Sequence, residues 1–251
     1  MKTIHPIAGE DETLDSFYHG RILVLQKKKG YRFSVDAPLL ADFIQTRATD
    51  VLLEAGGGCG IISLLLSVKP FRRIVCLEVQ KALARLAVRN VRLNGLERKI
   101  RIVEQDLRVF QPKTRFDVVF SNPPYIKKKT GMPSSSVEKA VAKHEIKCDI
   151  FDIIGLTGRS LKKSGRAYFI YPARRMEGFS LALDMHHLKT KTLRWVHPKS
   201  GSPARWFLAE CDFVSSSTKT LAPLVLCDER GQTTRETKRI YAGESRGQVG
   251  P

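Results

Sequence analysis

The sequence predicts an α/β protein built around a mostly parallel sheet. From Val51 onward, short apolar runs alternate with amphipathic segments, which is the pattern of consecutive β-α-β units. Nearer the C-terminus, two apolar segments flank a turn-rich stretch of Pro, Gly and Ser, which predicts an antiparallel hairpin. We therefore expect a seven-stranded sheet, mostly parallel, with an antiparallel hairpin at its C-terminal end.

The elements follow in order along the chain. Strands are predicted at 51–55, 74–78, 100–104, 116–121 and 166–171, with a hairpin at 192–196 and 206–213. Helices are predicted at 61–68, 80–94, about 149–162 and 174–186. An apolar run at 22–25 predicts a hairpin strand followed by a basic turn. A short helix is predicted to start at Asp36 or Ala37, with Pro38 in its first turn.

These patterns divide the chain into three segments. Residues 1–46 are expected to form an N-terminal hairpin and lid segment, and residues 47–227 the main domain. Residues 228–251 form a polar, Gly-rich tail that is expected to fray.

Composition limits the classes of function. The chain has 251 residues, 43 Lys plus Arg against 25 Asp plus Glu, and a formal charge of +18. This excess of positive charge favours a polyphosphate partner such as nucleic acid. Five widely spaced cysteines without a Cys-x-x-Cys pair indicate reduced thiols and no zinc site. Without a long apolar run or an export signal, the protein is expected to be cytoplasmic, with no membrane partner.

A glycine-rich segment, Glu54-Ala55-Gly56-Gly57-Gly58-Cys59-Gly60, lies where a predicted buried strand passes to a helix. Glycine there lets the backbone turn sharply and approach a ligand, and the next helix presents its positive N-terminal end. The context therefore predicts a nucleotide-binding loop. A dinucleotide fingerprint would need glycine at position 61 or 63, where Ile61 and Ser63 stand, so a dehydrogenase is disfavoured.

The acidic residue followed by alternate glycines resembles the first motif of the class I S-adenosylmethionine-dependent methyltransferases, which have a Rossmann-like fold. The resemblance implies that Gly56, Gly58 and Gly60 pass under the methionine part of the cofactor and that Glu54 helps anchor it. S-adenosylmethionine is therefore the expected cofactor.

Two acids follow the next two strands. Glu78 ends the second strand, where a carboxylate can accept hydrogen bonds from the vicinal hydroxyls of a ribose. Asp106 follows the third strand, where the resemblance implies an acid or amide against the adenine amine of the cofactor. Asp106 could equally cap a helix.

The segment Asn122-Pro123-Pro124-Tyr125 follows the fourth strand, so it faces the same crevice as the glycine-rich segment. It resembles the signature of methyltransferases that modify a nitrogen conjugated to a ring or carbonyl. Asn122, which also borders the cofactor, and the Pro123 carbonyl would accept hydrogen bonds from the amine, with Pro124 fixing the backbone. Tyr125 would stack on a flat substrate. This chemistry needs no metal.

Three further segments resemble one particular family within this class. Tyr31-Arg32-Phe33-Ser34-Val35-Asp36-Ala37, Lys143-His144-Glu145 and Lys238-Arg239-Ile240-Tyr241 are similar to segments of the bacterial methyltransferases that modify N6 of adenine 37 in valine tRNA. The resemblance implies that Phe33 and Asp36 lie near the cofactor as a lid. Taken by itself, Phe33 is a typical core residue. Gly57 and the high basicity depart from the family pattern.

Two lysine runs are candidate nucleic-acid contacts: Lys127, Lys128 and Lys129 after the Asn-Pro-Pro-Tyr segment, and Lys27, Lys28 and Lys29 before the lid. Either run could instead be solvated surface.

The expected function is methyl transfer to the N6 amine of an adenine in RNA, with tRNA as the partner. Protein glutamine N5-methylation and rRNA guanine N2-methylation use the same Asn-Pro-Pro-Tyr chemistry and remain alternatives, as does a noncatalytic RNA-binding module. The oligomeric state is left open.

Overall fold

The structure is a computed structural model that describes residues 8–29, 35–123 and 148–244. Its strands are β1 Glu12–Phe17, β2 Ile22–Lys27, β3 Val51–Ala55, β4 Arg73–Glu78, β5 Ile100–Glu104, β6 Phe116–Ser121, β7 Leu161–Pro172, β8 Lys189–Lys199, β9 Trp206–Asp212, β10 Lys219–Thr220 and β11 Leu224–Cys227. Its helices are α1 Asp36–Phe43, α2 Ile61–Leu65, α3 Lys81–Leu93, α4 Ile150–Ser160, α5 Met176–Met185 and α6 Arg235–Ala242. A 3-10 turn, Leu66–Val68, extends α2.

The main sheet has the predicted arrangement. Its seven principal strands run in the order β5-β4-β3-β6-β7-β9-β8, of which the first five are parallel. The hairpin strand β9 is antiparallel to both β7 and β8. Two short strands, β10 and β11, pair in parallel with β8 and extend this edge beyond the seven strands that the sequence predicts.

The order of the strands creates a crevice. β3 lies between β4 and β6. The strands β3, β4 and β5 follow one another toward one edge of the sheet, and β6 and β7 then extend it from the other side of β3. In open α/β sheets, ligands bind at such a switch point, beyond the carboxyl ends of the strands. Both candidate segments, the glycine-rich one after β3 and the one that begins with Asn122 after β6, leave the sheet there.

Continuous apolar runs explain why the central strands are covered on both faces. Leu52 and Leu53 of β3 and Val118 and Val119 of β6 are fully buried. Alternate residues pack toward opposite sides, with α1, α2, α3 and α6 covering one face and α4 and α5 the other. The site at the strand ends therefore rests on a rigid three-layer scaffold.

The N-terminal hairpin, β1 and β2, forms its own two-stranded sheet outside the main one. Its turn lies at residues 18–21, where Tyr18, His19 and Gly20 have positive φ. The predicted basic turn follows β2, where Lys28 and Lys29 form a bend, and it is not the turn that connects the two strands. The positive φ at position 20 of this tight turn is one that glycine adopts without strain.

The end of the described chain is ordered, contrary to the expected fraying of the polar tail. In α6, Ile240 is buried in the core and Arg239 forms a two-pronged ion pair with Asp42, at 2.9 and 3.0 Å. The Thr234 side chain caps the helix by accepting from the Thr237 backbone amide. The error arose because a helix with few apolar residues can still dock through one of them and an ion pair. The three-segment division itself stays a prediction.

Across the described ranges, no helix is both long and apolar enough to cross a membrane.

Candidate active site

The glycine-rich segment forms a loop, here called the glycine loop, over residues 56–60 between β3 and α2. Gly56, Gly58 and Gly60 have φ of 73°, 58° and 82°, a region that side chains other than glycine rarely adopt. The amides of Gly56 and Gly57 both donate to the carbonyl oxygen of Leu77, at 3.0 and 2.9 Å. The loop is therefore anchored to the end of β4. At each alternate glycine its backbone has the positive φ that glycine adopts without strain.

Gly57, which departs from the family pattern, is required by packing. A Cβ atom at this position would lie 2.0 Å from the Sγ atom of Cys76 and 3.4 Å from the Glu54 carboxyl carbon. Cys76 is fully buried on β4, directly opposite Glu54 of β3. The third consecutive glycine therefore makes room for a thiol from the neighbouring strand.

Glu54 is buried beneath the glycine loop, 1% exposed. Its carboxyl accepts a hydrogen bond from the Ser63 hydroxyl in α2 and interacts with the Cys76 thiol. Burial raises the pKa of Glu54 to about 7, although the Ser63 and Cys76 hydrogen bonds act in the opposite direction. This carboxyl is therefore readily ionised by a nearby cation, which is the property that an anchor for an ammonium group needs.

Glu78 connects the end of β4 to the glycine loop. One of its oxygens, Oε2, accepts from the Gly58 amide at 2.8 Å, and the other, Oε1, accepts from the Gln80 amide at 2.8 Å. Burial raises the pKa of Glu78, while these backbone hydrogen bonds lower it. A carboxylate offers about four acceptor positions. Glu78 can therefore hold its two amides and still accept hydrogen bonds from two hydroxyl groups.

The two candidate segments leave the sheet side by side. Glu54 of β3 is paired in register with Phe120 of β6, and strands in this direction lie about 4.8 Å apart. Beyond that pair, the Ser121 hydroxyl donates to the Ala55 carbonyl at 2.7 Å. Gly56 and Asn122 are the next residues on the two strands. The glycine loop and the start of the Asn-Pro-Pro-Tyr segment therefore occupy one edge of the sheet.

Asn122 is partly exposed and Pro123 is buried. Six predicted site residues lie outside the described residues: Phe33, Pro124, Tyr125, Lys127, Lys128 and Lys129. The roles assigned to them from the sequence stay predictions.

Asp106 follows β5 at the same edge and forms an ion pair with Arg108, whose guanidinium donates to both carboxylate oxygens. Hydrogen bonding by Arg108 lowers the pKa of Asp106. The Arg108 amide also donates to this carboxylate, at 2.9 Å, so Asp106 caps a turn and not the helix that the sequence left open. A role toward a cofactor would require it to share its oxygens with Arg108.

Asp36 is buried at the first position of α1, a helix that packs against α2. It therefore lies on the helix that packs against α2, the helix that directly follows the glycine loop. In the lysine run before it, Lys27 pairs with Asp11 at 2.7 Å and Glu12 at 3.5 Å, whereas Lys28 and Lys29 are exposed. Within the run, Lys27 therefore has a local structural role, and Lys28 and Lys29 present their charge to solvent.

Sequence reasoning missed Asn90, a fully buried residue of α3. Its amide nitrogen donates to the Cys59 carbonyl of the glycine loop at 2.9 Å and to the Leu25 carbonyl of β2 at 3.0 Å. Its oxygen accepts from the Leu25 amide at 2.7 Å. The signal was a pair of asparagines, Asn90 and Asn94, one turn apart on the buried side of an amphipathic helix.

The site has the features that an S-adenosylmethionine molecule requires. An added Cβ at Gly56 would meet no atom within 4 Å, so the space beside the loop is open. Buried carboxyls at Glu54 and Glu78 border the loop on β3 and β4. Among the described residues, no group of three or more His, Cys, Asp or Glu side chains is placed to hold a metal ion.

Comparisons with known proteins agree with this geometry. Residues 32–145 match the family of methyltransferase small domains. The tRNA1(Val) (adenine(37)-N6)-methyltransferase of Bacteroides thetaiotaomicron is 26% identical over 195 residues, which cover 76% of this chain and 81% of that protein. The protein of the same name from Phocaeicola vulgatus is 27% identical over 194 residues, covering 77% and 82%.

Solved structures show the same architecture. A predicted O-methyltransferase from Agrobacterium tumefaciens superposes with a TM-score of 0.67 at 17% identity, covering 83% of this chain and 96% of that one. TYW2 from M. jannaschii, solved in complex with AdoMet, superposes with a TM-score of 0.56 at 15% identity, covering 83% and 89%. The solved structures confirm the predicted fold class.

Proposed function

Because residues 32–145 match the family of methyltransferase small domains, we propose that this chain is an S-adenosylmethionine-dependent methyltransferase that transfers a methyl group to the N6 amine of an adenine in tRNA. We propose position 37 of valine tRNA as the target, since relatives aligned over most of this chain are named for that reaction. The formal charge of +18 suits an RNA substrate. A tRNA substrate places the activity in the cytoplasm.

One observation carries the proposal: the Ser121 to Ala55 hydrogen bond joins the two strand ends from which the glycine loop and Asn122 begin. A methyl donor held over the loop would therefore lie next to the residues that receive the substrate amine. Such proximity supplies much of the rate in a group transfer between two bound reactants.

The cofactor-binding part consists of residues at the ends of β3, β4 and β5. Gly56, Gly58 and Gly60 bring the backbone close to the methionine part, and Glu54 attracts its ammonium group. Glu78 accepts hydrogen bonds from the ribose hydroxyls. Asp106 accepts from the adenine amine. Bound there, S-adenosylmethionine supplies an electrophilic methyl group on a sulfonium.

The acceptor part addresses the weak nucleophilicity of an amine conjugated to a ring. The side-chain oxygen of Asn122 and the carbonyl of Pro123 each accept one hydrogen bond from the amine, which favours a pyramidal nitrogen with an available lone pair. Pro124 holds this backbone with its fixed φ, and Tyr125 stacks on the base. The amine loses its proton after the transfer, so no strong base is needed.

The substrate class is tested by incubating the protein with radiolabelled S-adenosylmethionine and separate pools of tRNA, rRNA and peptide-chain release factors. The labelled pool is then digested and its nucleosides or amino acids are identified. We expect label in tRNA as N6-methyladenosine, and none in a tRNA whose adenine 37 is replaced by guanine. Label in rRNA as N2-methylguanosine, or in release factors as N5-methylglutamine, would contradict the proposal in favour of those two chemistries. Binding of RNA without any label would favour the noncatalytic RNA-binding module.

A further inference from the structure

A groove runs along the free edge of β5, away from the glycine loop. It has a volume of about 770 Å³ and lies between β5, the C-terminal half of α3 and the segment before β6. β5 is the terminal strand of the main sheet, with β4 on its other side. We call this feature the edge groove.

The edge groove is strongly basic. Its basic lining side chains, all exposed, are Arg73, Arg92, Arg98, Lys99, Arg101 and Lys113. Of the described lining residues, Glu97 is the acidic one. The sequence did not indicate this cluster because its members come from β4, α3, β5 and the two connections on either side of β5.

The arginines of the edge groove are available for a ligand. Among the described residues, no carboxylate lies within 4.0 Å of the charged groups of Arg73, Arg92, Arg98 or Arg101. Other arginines of the protein do pair with acids, as Arg166 does with Asp50 and Arg239 with Asp42. Concentrating unpaired arginines in one concave surface is unfavourable unless an anion binds there.

One end of the edge groove lies near Glu78 of the candidate active site. Gln105 lines its upper end, and the Gln105 amide donates to the backbone carbonyl of Glu78 at 3.1 Å. Glu78 is the carboxylate that holds the Gly58 amide. From this end the groove follows the five residues of β5, about 16 Å of extended strand, down to Arg73 and Lys99. A chain of phosphates lying in it would therefore end at the same edge of the sheet as the candidate active site, with β4 and β3 between it and Asn122.

We propose that the edge groove binds the phosphate backbone of the RNA substrate while the target base occupies the site beside Asn122. The inference rests on the proposed function, because it assigns a surface to the same substrate. Guanidinium groups suit the ligand, since their planar forks match phosphate oxygens in two-pronged contacts. Contacts of this kind set the register of a nucleic acid and leave base recognition to the active site.

The length and openness of the edge groove favour a polymer over a small anion. Basic groups distributed along an extended strand engage successive phosphates, whereas a pocket for one phosphate converges on a single point. Val88 of α3, exposed on the wall of the groove, adds an apolar surface for a ribose or base.

The test compares two triple variants with the same change in net charge. One is Arg73→Gln with Arg98→Gln and Arg101→Gln in the edge groove. The matched control is Lys189→Gln with Lys191→Gln and Lys219→Gln on β8 and β10, at the opposite edge of the sheet. Binding of an unmodified valine tRNA transcript is measured by fluorescence anisotropy over a series of KCl concentrations, with methyl transfer measured in parallel.

We expect the groove variant to flatten the plot of log affinity against log salt by about two units, at roughly 0.7 to 0.9 for each lost phosphate contact. Its KM for tRNA should rise, with kcat at saturating tRNA and the affinity for S-adenosylmethionine unchanged. The control variant should keep the wild-type slope. Equal slopes for the two variants, with methyl transfer to adenine intact, would overturn the groove and leave the proposed function standing.

Two further outcomes separate the hypotheses. If the wild type methylates no adenine in tRNA but loses its RNA-binding slope on mutation of the groove, the proposed function fails and the groove remains an RNA surface. Inorganic phosphate is also added at matched ionic strength. Phosphate that displaces tRNA much more strongly than chloride does would indicate a site for a single anion. Together with a wild-type slope of log affinity against log salt in the groove variant, this result would overturn the inference.

Discussion

The hydroxyl of Ser121 donates a hydrogen bond to the backbone carbonyl of Ala55 across the ends of two adjacent parallel strands. Both residues are the last of their strands, β6 and β3, and both are buried. The bond continues the β3–β6 pairing past the last paired residues, Glu54 and Phe120. It therefore links the end of β3, where the proposed methyl-donor site begins, to the end of β6, where the proposed acceptor site begins.

Replacing Ser121 by alanine removes this bond and leaves the Ala55 carbonyl without that donor. We expect Ser121→Ala to lower the free energy of unfolding by about 1 to 3 kcal/mol, the usual cost of an unsatisfied buried group. Turnover should fall as well, because the two strand ends lose their side-chain link. Urea denaturation and methyl-transfer rates measure both effects.

Ser160→Ala is the matched control for this change. Ser160 is also fully buried, and its hydroxyl has no hydrogen-bond partner within the described structure. Its removal should leave both stability and turnover near the wild-type values. Equal unfolding free energies and equal turnover in Ser160→Ala and Ser121→Ala would show that the hydrogen bond between the strand ends contributes to neither.

Gly57→Ala tests the packing explanation of the third glycine. The added Cβ would lie 2.0 Å from the Cys76 Sγ atom, so the glycine loop must move or the thiol must leave. We expect a loss of about 1 to 3 kcal/mol in unfolding free energy, typical of an overpacked core, and weaker binding of S-adenosylmethionine in calorimetry. Combining Gly57→Ala with Cys76→Ala should recover much of both losses. Additive effects of the two substitutions would show that they do not meet.

Asn90 and Asn94 offer a direct comparison between a side chain that holds the glycine loop and one that does not. Each makes two hydrogen bonds to the backbone of β2, Asn90 at Leu25 and Asn94 at Leu23. The third hydrogen bond of Asn90 reaches the Cys59 carbonyl in the loop, whereas that of Asn94 reaches the carbonyl of Asn90 itself.

We expect both Asn90→Ala and Asn94→Ala to destabilise the protein, by about 1 to 3 kcal/mol. The dissociation constant for S-adenosylmethionine should rise in Asn90→Ala alone of the two, because only that variant of the pair frees the glycine loop. Calorimetric titration of both proteins at a temperature where they are folded decides the point. A similar dissociation constant in the two variants would refute a positioning role for Asn90.

The raised pKa of Glu54 predicts a pH dependence of stability. Burial moves this pKa from 4.5 to about 7, so between these values the folded protein holds a proton that the unfolded chain releases. The free energy of unfolding of the cofactor-free protein should therefore fall as pH rises through this range, by at most about 1.4 kcal/mol per pH unit.

Glu54→Gln should remove this contribution, whereas Glu104→Gln, at the exposed end of β5, should keep the wild-type profile. Urea denaturation at a series of pH values between about 5 and 8 gives the comparison. A wild-type slope in Glu54→Gln would show that another group is responsible.

Local sequence patterns predicted most of the fold. The bounds of β3, β5 and β6 were predicted to the residue, because each is a short apolar run between polar or glycine-rich segments. The docking of α6 was missed, since its ion pair joins Arg239 to Asp42 from the opposite end of the chain. The two short strands that extend β8 were missed for the same reason, because a short strand is defined mainly by the partner it pairs with.

At the candidate site, the sequence predicted which segments come together and missed the contacts that hold them. Parallel topology alone brings Gly56 and Asn122 to one edge of the sheet. The partners of the site residues depend on tertiary packing, which the spacing of apolar residues along the chain does not predict. Examples are the thiol of Cys76 against Gly57, the Arg108 guanidinium on Asp106 and the Asn90 amide at Cys59.

The central claim is that the residues after β3 hold the methyl donor and Asn122 holds the acceptor amine beside it. The most direct test is Asn122→Ala, examined by single-turnover methyl transfer to an unmodified valine tRNA transcript and by calorimetric titration with S-adenosylmethionine. We predict a fall in the transfer rate of about 10² to 10³, the usual effect of losing one transition-state hydrogen bond, with cofactor affinity mostly retained. A transfer rate equal to that of the wild type would contradict the account.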